Sequence, residues 1–385
     1  MHFLIVAGDP SGDLYGAMLA RELRALDPKA RFSAVGGKLL QEEVSGAGGR
    51  FLHDLASLGI TGFFEPLRNL FLFLDIDRRI RDLLRQDRPD AVVCVDFYGF
   101  NRHVLKAARA EGVTTCYFIS PQVWATRPGR VRALKELVDR MIVIFPFEEK
   151  LYREAGVPVT WVGHPLLDIL PPAAKNGGRK ESSSGLKIGL LPGSRASEIG
   201  RHLPVFLGAL RRISRDFPRL DVRLFASAQL PDSFYEEILL SWKASGGPEV
   251  KIVRESDYRE RSGLDIALTS SGTATLENAL LGVPMVVIYK LFWPTYAIAR
   301  AMIRVPYITM ANLLCGKRLV PELVQAQADA PGVAREALLI LEDPRRLEGM
   351  RKELSSLRGL LGGPGAARRA AEAVLETAGS KRSAP

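Results

Sequence analysis

Cysteine is scarce: three in 385 residues, Cys94, Cys116 and Cys315, with no CxxC or other metal-ligand spacing. That argues against a disulfide framework, and the thiols read as small buried groups in a reducing compartment. The five histidines, His2, His53, His103, His164 and His202, form no HExxH and no close pair, so a zinc enzyme is not indicated. No GxxxxGK[ST] occurs, which disfavours a P-loop ATPase. No uninterrupted apolar stretch reaches the roughly 18 residues needed to span a bilayer. The N-terminus, MHFLIVAGDPSGD, lacks a basic region followed by a signal-length apolar run. It reads as a first β-strand, and no secretion is expected.

What is present is a chain with 47% hydrophobic and 25% charged residues and a net charge of +10. Such a chain can bury a sizeable core in about two domains. Its charge favours anionic partners: nucleic acid, nucleotide phosphates or an anionic membrane surface. Short β-branched runs at 3–7, 91–95, 115–119, 141–145 and 159–162 alternate with helical patterns at 14–26, 75–85, 102–111 and 131–137. That rhythm predicts a parallel sheet with helices on both faces. The segment PPAAKNGGRKESSSG, 171–185, is too poor in apolar surface to order itself and reads as a linker. The rhythm then resumes at 186–191, 222–226, 250–253, 266–269 and 285–288. The expected fold is α/β, two Rossmann-like domains facing a cleft. The boundaries are read as 1–170, a linker at 171–185, a second domain at 186–350 and a helical tail at 351–385.

Two turns suggest an anion site. In LLPGSRASEIGRH, 190–202, an apolar strand ends in Gly193 and Ser194, and a helix begins just after Arg195. The first amides of that helix lack intrahelical partners, Gly193 permits close approach, and Arg195 adds a forked positive charge. In TSSGTATLENALLGVPMVV, 269–287, the same strand–turn–helix order offers Ser271, Gly272 and Thr273 to phosphate oxygens, and Glu277 to ribose hydroxyls one turn on. Either turn alone is equally an ordinary capped junction. Together, in one half of the chain, they make a cradle suited to a pyrophosphate and a sugar.

At this level the chain resembles the lipid-A-disaccharide synthases, two-domain glycosyltransferases of the GT-B fold. Eight blocks carry the resemblance in the family's order: GDPSGD (8–13), AVGG (34–37), VDFYGFN (95–101), ISPQVWATR (119–127), GHPL (163–166), LLPGSRASEI (190–199), SGTATLE (271–277) and NLLCGKRLVPELVQ (312–325). The resemblance implies transfer of a diacylglucosamine unit from its UDP derivative to 2,3-diacylglucosamine 1-phosphate, giving a β-1,6 disaccharide and UDP. It also implies a place at the inner face of the cytoplasmic membrane, no cofactor, and room for a homodimer. Four residues depart from the family pattern: Asp9 and Pro10, where GEASGD is usual; Gly99, where a second aspartate is common; and Thr126, where tryptophan is common.

Glycosyl transfer needs a base for the acceptor hydroxyl and electrophilic help for the departing diphosphate. Asp96, just after the apolar run 91–95, is expected at the carboxyl end of a central strand. The resemblance implies the role of general base, against the plainer alternative of a helix cap. Arg195 would counter the charge on the leaving UDP. Ser11, Gly12 and Asp13 open another helix and are read as acceptor-binding, with simple capping by Ser11 as the alternative. Gln122 is a further acceptor-side candidate, and Asn312 lies in the block that the family places near the nucleotide. Asp75-Ile76-Asp77 matches the DxD of metal-dependent transferases, but on a helix residues two apart diverge, so no metal is expected. His164 in GHP reads as packing.

One segment, FFEPLRNLFLFLDIDRRIRDLLRQDR (63–88), is unusually apolar, with Arg78, Arg79 and Arg81 following at once. Phe64, Leu67, Leu70, Phe71 and Phe73 are read as membrane-contact residues beside anionic headgroups. A buried core helix explains the same pattern. Two rival functions stay open on the residues alone. One is a non-hydrolysing UDP-sugar epimerase. The other is a non-catalytic nucleotide- or nucleic-acid-binding protein, although basic residues are scattered and no nucleic-acid motif appears.

Overall fold

The computed structural model describes the chain apart from residues 47, 59–69, 127–128, 174–184, 304 and 383–385, and apart from the side chains at 126, 294–295, 298–299, 301 and 382. Most of the expected linker, and Phe64 and Leu67 of the apolar segment, lie outside the described residues. The chain forms two units, Met1–Asp168 together with Leu361–Pro385, and Ile169–Leu360.

The first unit holds a seven-stranded sheet: β1 (His2–Ala7), β2 (Arg31–Gly36), β3 (Arg50–Asp54), β4 (Ala91–Val95), β5 (Thr114–Phe118), β6 (Arg140–Val143) and β7 (Val159–Trp161). Its order is β3-β2-β1-β4-β5-β6-β7, and every pair is parallel. β1 and β4 are buried at every position, so they read as unbroken apolar runs and show no alternation. The second unit repeats the plan with β8 (Leu186–Leu191), β9 (Leu220–Phe225), β10 (Val250–Val253), β11 (Ile266–Ser270), β12 (Met285–Tyr289) and β13 (Glu322–Val324), in the order β10-β9-β8-β11-β12-β13. Each sheet therefore reverses its direction of growth once, between β1 and β4 and between β8 and β11. Loops leaving the carboxyl ends of such a strand pair diverge and leave a crevice, the usual ligand position in this fold.

The helix Pro10–Leu26 starts where the sequence supplies both a cap and a rigid first residue. Asp9 accepts the Gly12 N–H at 2.6 Å, and Pro10 stands where no N–H is needed. The cap is Asp9 and not the Ser11 alternative. Asp13 is buried and serves the next helix, Lys38–Ser45. Its Oδ1 accepts from Gly37 N (2.7 Å) and Leu40 N (3.0 Å), and its Oδ2 from Leu39 N (3.0 Å). Glycine at 37 follows from this, since a Cβ there would stand 2.7 Å from Asp13 Oδ2. Asp13→Ala strands three amides and is expected to destabilise the first unit by roughly 2–4 kcal/mol. Thermal unfolding checks this, with Asp13→Asn recovering part of the loss because Oδ1 alone serves two of the three donors.

The helix Ala366–Arg382 belongs to the first unit although β7 ends some 200 residues earlier. Its first turn is capped across the sequence by Asp168, which accepts from Gly365 N at 2.5 Å and Ala367 N at 3.1 Å. Arg369 Nε donates to Val162 O at 2.9 Å, and Lys381 pairs with Asp139 at 2.7 Å. The GHP block is the socket for this return: His164 N–H donates to Leu361 O at 3.1 Å. The His164 ring is buried against Tyr15 and Phe145, its Nδ1 accepts the Leu166 N–H, and burial pushes its pKa down to about 3. It is a neutral packing residue.

The apolar segment continues as the helix Leu70–Gln86, which buries Ile76, Ile80, Leu83 and Leu84 against the sheet. Phe71 is 87% exposed, Leu74 56% and Leu70 49%, so these three form an apolar face directed to solvent. Phe73 parts from Phe71, half-buried with its ring 5.5 Å from that of Phe100, because residues two apart on a helix lie on different sides. Asp75 and Asp77 pair with Arg79 (2.8 Å) and Arg81 (2.6 Å) one turn on.

Candidate active site

In the second unit both glycine-containing turns leave adjacent strands at the point of reversal. Leu191 of β8 is level with Thr269 of β11, so Pro192-Gly193-Ser194 and Ser271-Gly272 run side by side. Gly193 has φ +121°, which other residues rarely adopt, and a Cβ there would meet Glu198 Oε2 at 2.7 Å. The helices that follow, Ala196–Asp216 and Thr273–Leu280, begin at Arg195 and Gly272 with no side-chain cap hydrogen bond. Asp9, Thr309 and Asp329 each accept a first-turn N–H at their helices, whereas the helices that begin after Gly37, Phe97 and Pro231 also lack a side-chain cap. A helix N-terminus of this kind favours an anion in the turn before it, and here the Ser194 N–H goes to Glu198 and the Ser271 N–H to Ile288 O. Thr275 Oγ donates back to Gly272 O at 2.7 Å and braces the second turn.

Three groups that the sequence reading passed over shape this place. Glu198 accepts from Arg195 Nη1 at 2.7 Å and from Ser194 N at 3.3 Å. His202 is buried, with Nδ1 2.8 Å from Pro192 O and Nε2 accepting the Lys290 N–H at 3.3 Å. A carbonyl only accepts, so Nδ1 carries the proton. Burial holds the ring neutral, and it ties the first turn to the end of β12. Arg261, also buried, donates to both Glu277 and Glu255 and stacks over Tyr258 and Phe225 at 5.1 and 5.4 Å. Tyr258 adds its hydroxyl to Glu277 Oε1 at 3.2 Å. The Glu277 carboxylate is thereby fixed in direction, although two long-range partners, invisible to local pattern, do the fixing. Asn312 is fully buried: Nδ2 donates to Val320 O (2.9 Å) and Glu322 Oε1 (2.8 Å), while Oδ1 accepts from Leu319 N and Val320 N. Its amide organises the 319–322 loop.

In the first unit the corresponding reversal lies between β1 and β4, where Ala7 is level with Val95. Asp96 leaves β4 with φ +43° and Phe97 follows at +47°. Two non-glycine residues in this region are held only where surroundings over-determine them. Here Asn101 Nδ2 donates to Asp96 O at 2.7 Å, the Tyr117 hydroxyl donates to the same oxygen at 2.5 Å, and Asp96 N–H donates to Phe118 O at 3.1 Å. Gly8 makes room, since a Cβ there would overlap the Phe97 ring. The half-buried Asp96 carboxyl is pushed up to about 7, first by burial, then by the nearby carboxylates of Asp9 and Glu148, with the Phe97 N–H acting the other way.

Glu148, unread in the sequence, is buried and likewise pushed up to about 7 by burial, against the pull of its amide and indole donors. It accepts from Trp124 Nε1 at 3.1 Å and Phe145 N at 3.2 Å, so it pins the PQVW loop that carries the exposed Gln122. Ser11 and Gly12 lie in the first turn of the helix after β1, beside the Asp96 strand. The structure thus groups Ser11, Gly12, Asp96 and Gln122 at the carboxyl ends of β1, β4 and β5.

Comparison with known proteins decides the family. The model of the lipid-A-disaccharide synthetase family matches residues 3–376. A lipid-A-disaccharide synthase of Syntrophus aciditrophicus is 40% identical over 377 residues, covering 97% of this chain and 96% of that protein. One from Geobacter sulfurreducens is 39% identical over 385 residues, covering 98% and 97%. The chain belongs to the lipid-A-disaccharide synthase family. It is an enzyme, a glycosyltransferase of lipid A disaccharide synthesis.

Among solved structures, a UDP-GlcNAc 2-epimerase of Neisseria meningitidis bound to UDP-GlcNAc matches with a TM-score of 0.64 at 14% identity, over 98% of this chain and 100% of that one. MurG of Acinetobacter baumannii matches with 0.60 at 14% identity, over 97% and 99%. These likenesses show the fold, shared by glycosyltransferases and epimerases alike. Two of the departures from the synthase pattern, at Asp9-Pro10 and Gly99, are structurally mild. Asp9-Pro10 makes a strong helix start. Gly99 is exposed, and a Cβ there would meet nothing within 4 Å. The side chain of Thr126 lies outside the described residues.

Proposed function

We propose that the enzyme transfers the 2,3-diacylglucosamine unit of its UDP derivative to the 6-hydroxyl of 2,3-diacylglucosamine 1-phosphate. The products are the β-1,6-linked disaccharide 1-phosphate and UDP. The observation that carries this reading is the full-length family match on a chain whose second unit leaves two helix N-termini without side-chain caps, side by side, with Arg195 between turn and helix.

In this reading the diphosphate takes the amides of Gly193, Ser194 and Gly272, the hydroxyls of Ser271 and Thr273 and the charge of Arg195, the Ser271 N–H being given to Ile288 O, and Glu277 accepts from the ribose. Asn312 contributes by shaping the neighbouring loop. Asp96 removes the proton from the acceptor's 6-hydroxyl as that oxygen attacks the anomeric carbon. The bond from that carbon to the diphosphate breaks with inversion, and the electron pair leaves on UDP, where Arg195 and the helix N-termini offset it. Ser11, Gly12 and Gln122 meet the acceptor, with Asp9 capping the Ser11–Gly12 turn and Asp13 holding the neighbouring 37–40 turn in shape. The test is mass spectrometry of the products formed from purified protein and both substrates in detergent. Disaccharide 1-phosphate is the expected product, and its absence under every detergent condition removes the reading. Donor incubated without acceptor is expected to keep its sugar unchanged, whereas an epimerase would alter it.

Among the described residues no helix is long and apolar enough to cross a membrane. We place the enzyme peripherally on the inner face of the cytoplasmic membrane, held by Leu70, Phe71 and Leu74 with the arginines that follow. Replacing all three by serine is expected to cut pelleting with anionic vesicles at least about tenfold while the far-UV circular dichroism stays unchanged. Pelleting equal to wild type would remove the membrane assignment.

A further inference from the structure

The turn at 192–195 already holds an anion of its own. Glu198, one turn into the helix Ala196–Asp216, takes the Arg195 guanidinium on Oε1 at 2.7 Å and the Ser194 amide on Oε2 at 3.3 Å. The same Oε2 lies in the space that glycine at 193 leaves open, 2.7 Å from where a Cβ would be. Ser270 Oγ bounds that space from β11, 3.3 Å from the same point. One carboxylate therefore occupies two of the donors that a diphosphate would need, the Ser194 amide and an Arg195 N–H. Two anions in one such pocket repel, and the helix amides available there are few.

The geometry points to Glu198 as a built-in competitor: an internal carboxylate that fills the diphosphate turn when it is empty, swings out as the UDP-sugar enters and returns as UDP departs. The inference rests on the reading of this turn as the diphosphate site. The side chain is 26% exposed, so water is at hand to receive it when displaced. The arrangement has two effects. It weakens the grip on UDP, which a transferase must release each turnover, and it denies the turn to stray inorganic phosphate. The contrasting role is a simple brace, in which Glu198 only aims Arg195 and its loss weakens binding.

Calorimetric titration of UDP into full-length wild type, Glu198→Gln and Glu198→Ala separates the two. A competitor predicts that both variants bind UDP about three- to tenfold more tightly than wild type. Glutamine matters most, because it keeps the size of the side chain and removes only the charge. Steady-state kinetics on the same variants should show the donor KM falling while kcat does not rise, a split that a loss of structure would not give. Unchanged or weaker UDP binding by Glu198→Gln overturns the inference and leaves the site reading in place. Failure of wild type to bind UDP overturns both.

Discussion

Asp96→Asn is expected to lower kcat by about 10²–10⁴-fold while leaving UDP affinity within about twofold of wild type. The amide keeps the size of the side chain and an oxygen for the Phe97 N–H, and the bonds to Asp96 from Asn101, Tyr117 and Phe118 do not involve the carboxylate. Only the capacity to take a proton is lost. The pH dependence carries the sign. A base must be unprotonated, so wild-type kcat/KM should fall about tenfold per pH unit below an acid limb near 7, where Asp96 titrates. An unperturbed aspartate would place that limb near about 4. Stability should move in the opposite sense. The folded carboxyl titrates above its unfolded value, so whatever stability the protonated form confers is present below about 4 and lost as pH rises through 7. At pH 8 the asparagine variant should therefore unfold a few degrees higher than wild type. Full turnover by Asp96→Asn would remove the assignment of the base.

The second large effect belongs to Arg195. Arg195→Met is expected to cost about 10²–10³-fold in kcat and to weaken UDP binding, because the leaving diphosphate loses its one forked cation in the turn. Arg195→Lys should recover only part of this, since a single ammonium cannot match two oxygens at once. Retention of full kcat by the methionine variant would mean that the helix amides alone carry the leaving group.

The architecture was legible because parallel strands covered on both faces are written as short apolar runs, and ten of the thirteen strands among the described residues were found that way. The three missed ones lack the signal. β2, RFSAVG, mixes arginine, serine and glycine; β3, RFLHD, is partly exposed along its length; and β13 has three residues. The turns at 193–195 and 271–273 were legible for a similar reason, since small residues between a strand and a helix mark the carboxyl edge of a sheet. What the sequence concealed was the wiring between distant residues. Glu148 needs Trp124, Asp13 needs Gly37, and Glu277 needs Arg261, and no period or spacing connects such partners. Glu198 is the exception, because its i,i+3 spacing from Arg195 was in plain view.

The long-range cap at Asp168 has a consequence for how the molecule is made. Its carboxylate is synthesised 197 residues before the amide it must receive. Emerging from the ribosome, residues 1–168 have to wait for their last helix, while 169–360 is a single uninterrupted stretch able to close as soon as it appears. The second unit is thus complete in the growing chain before the first.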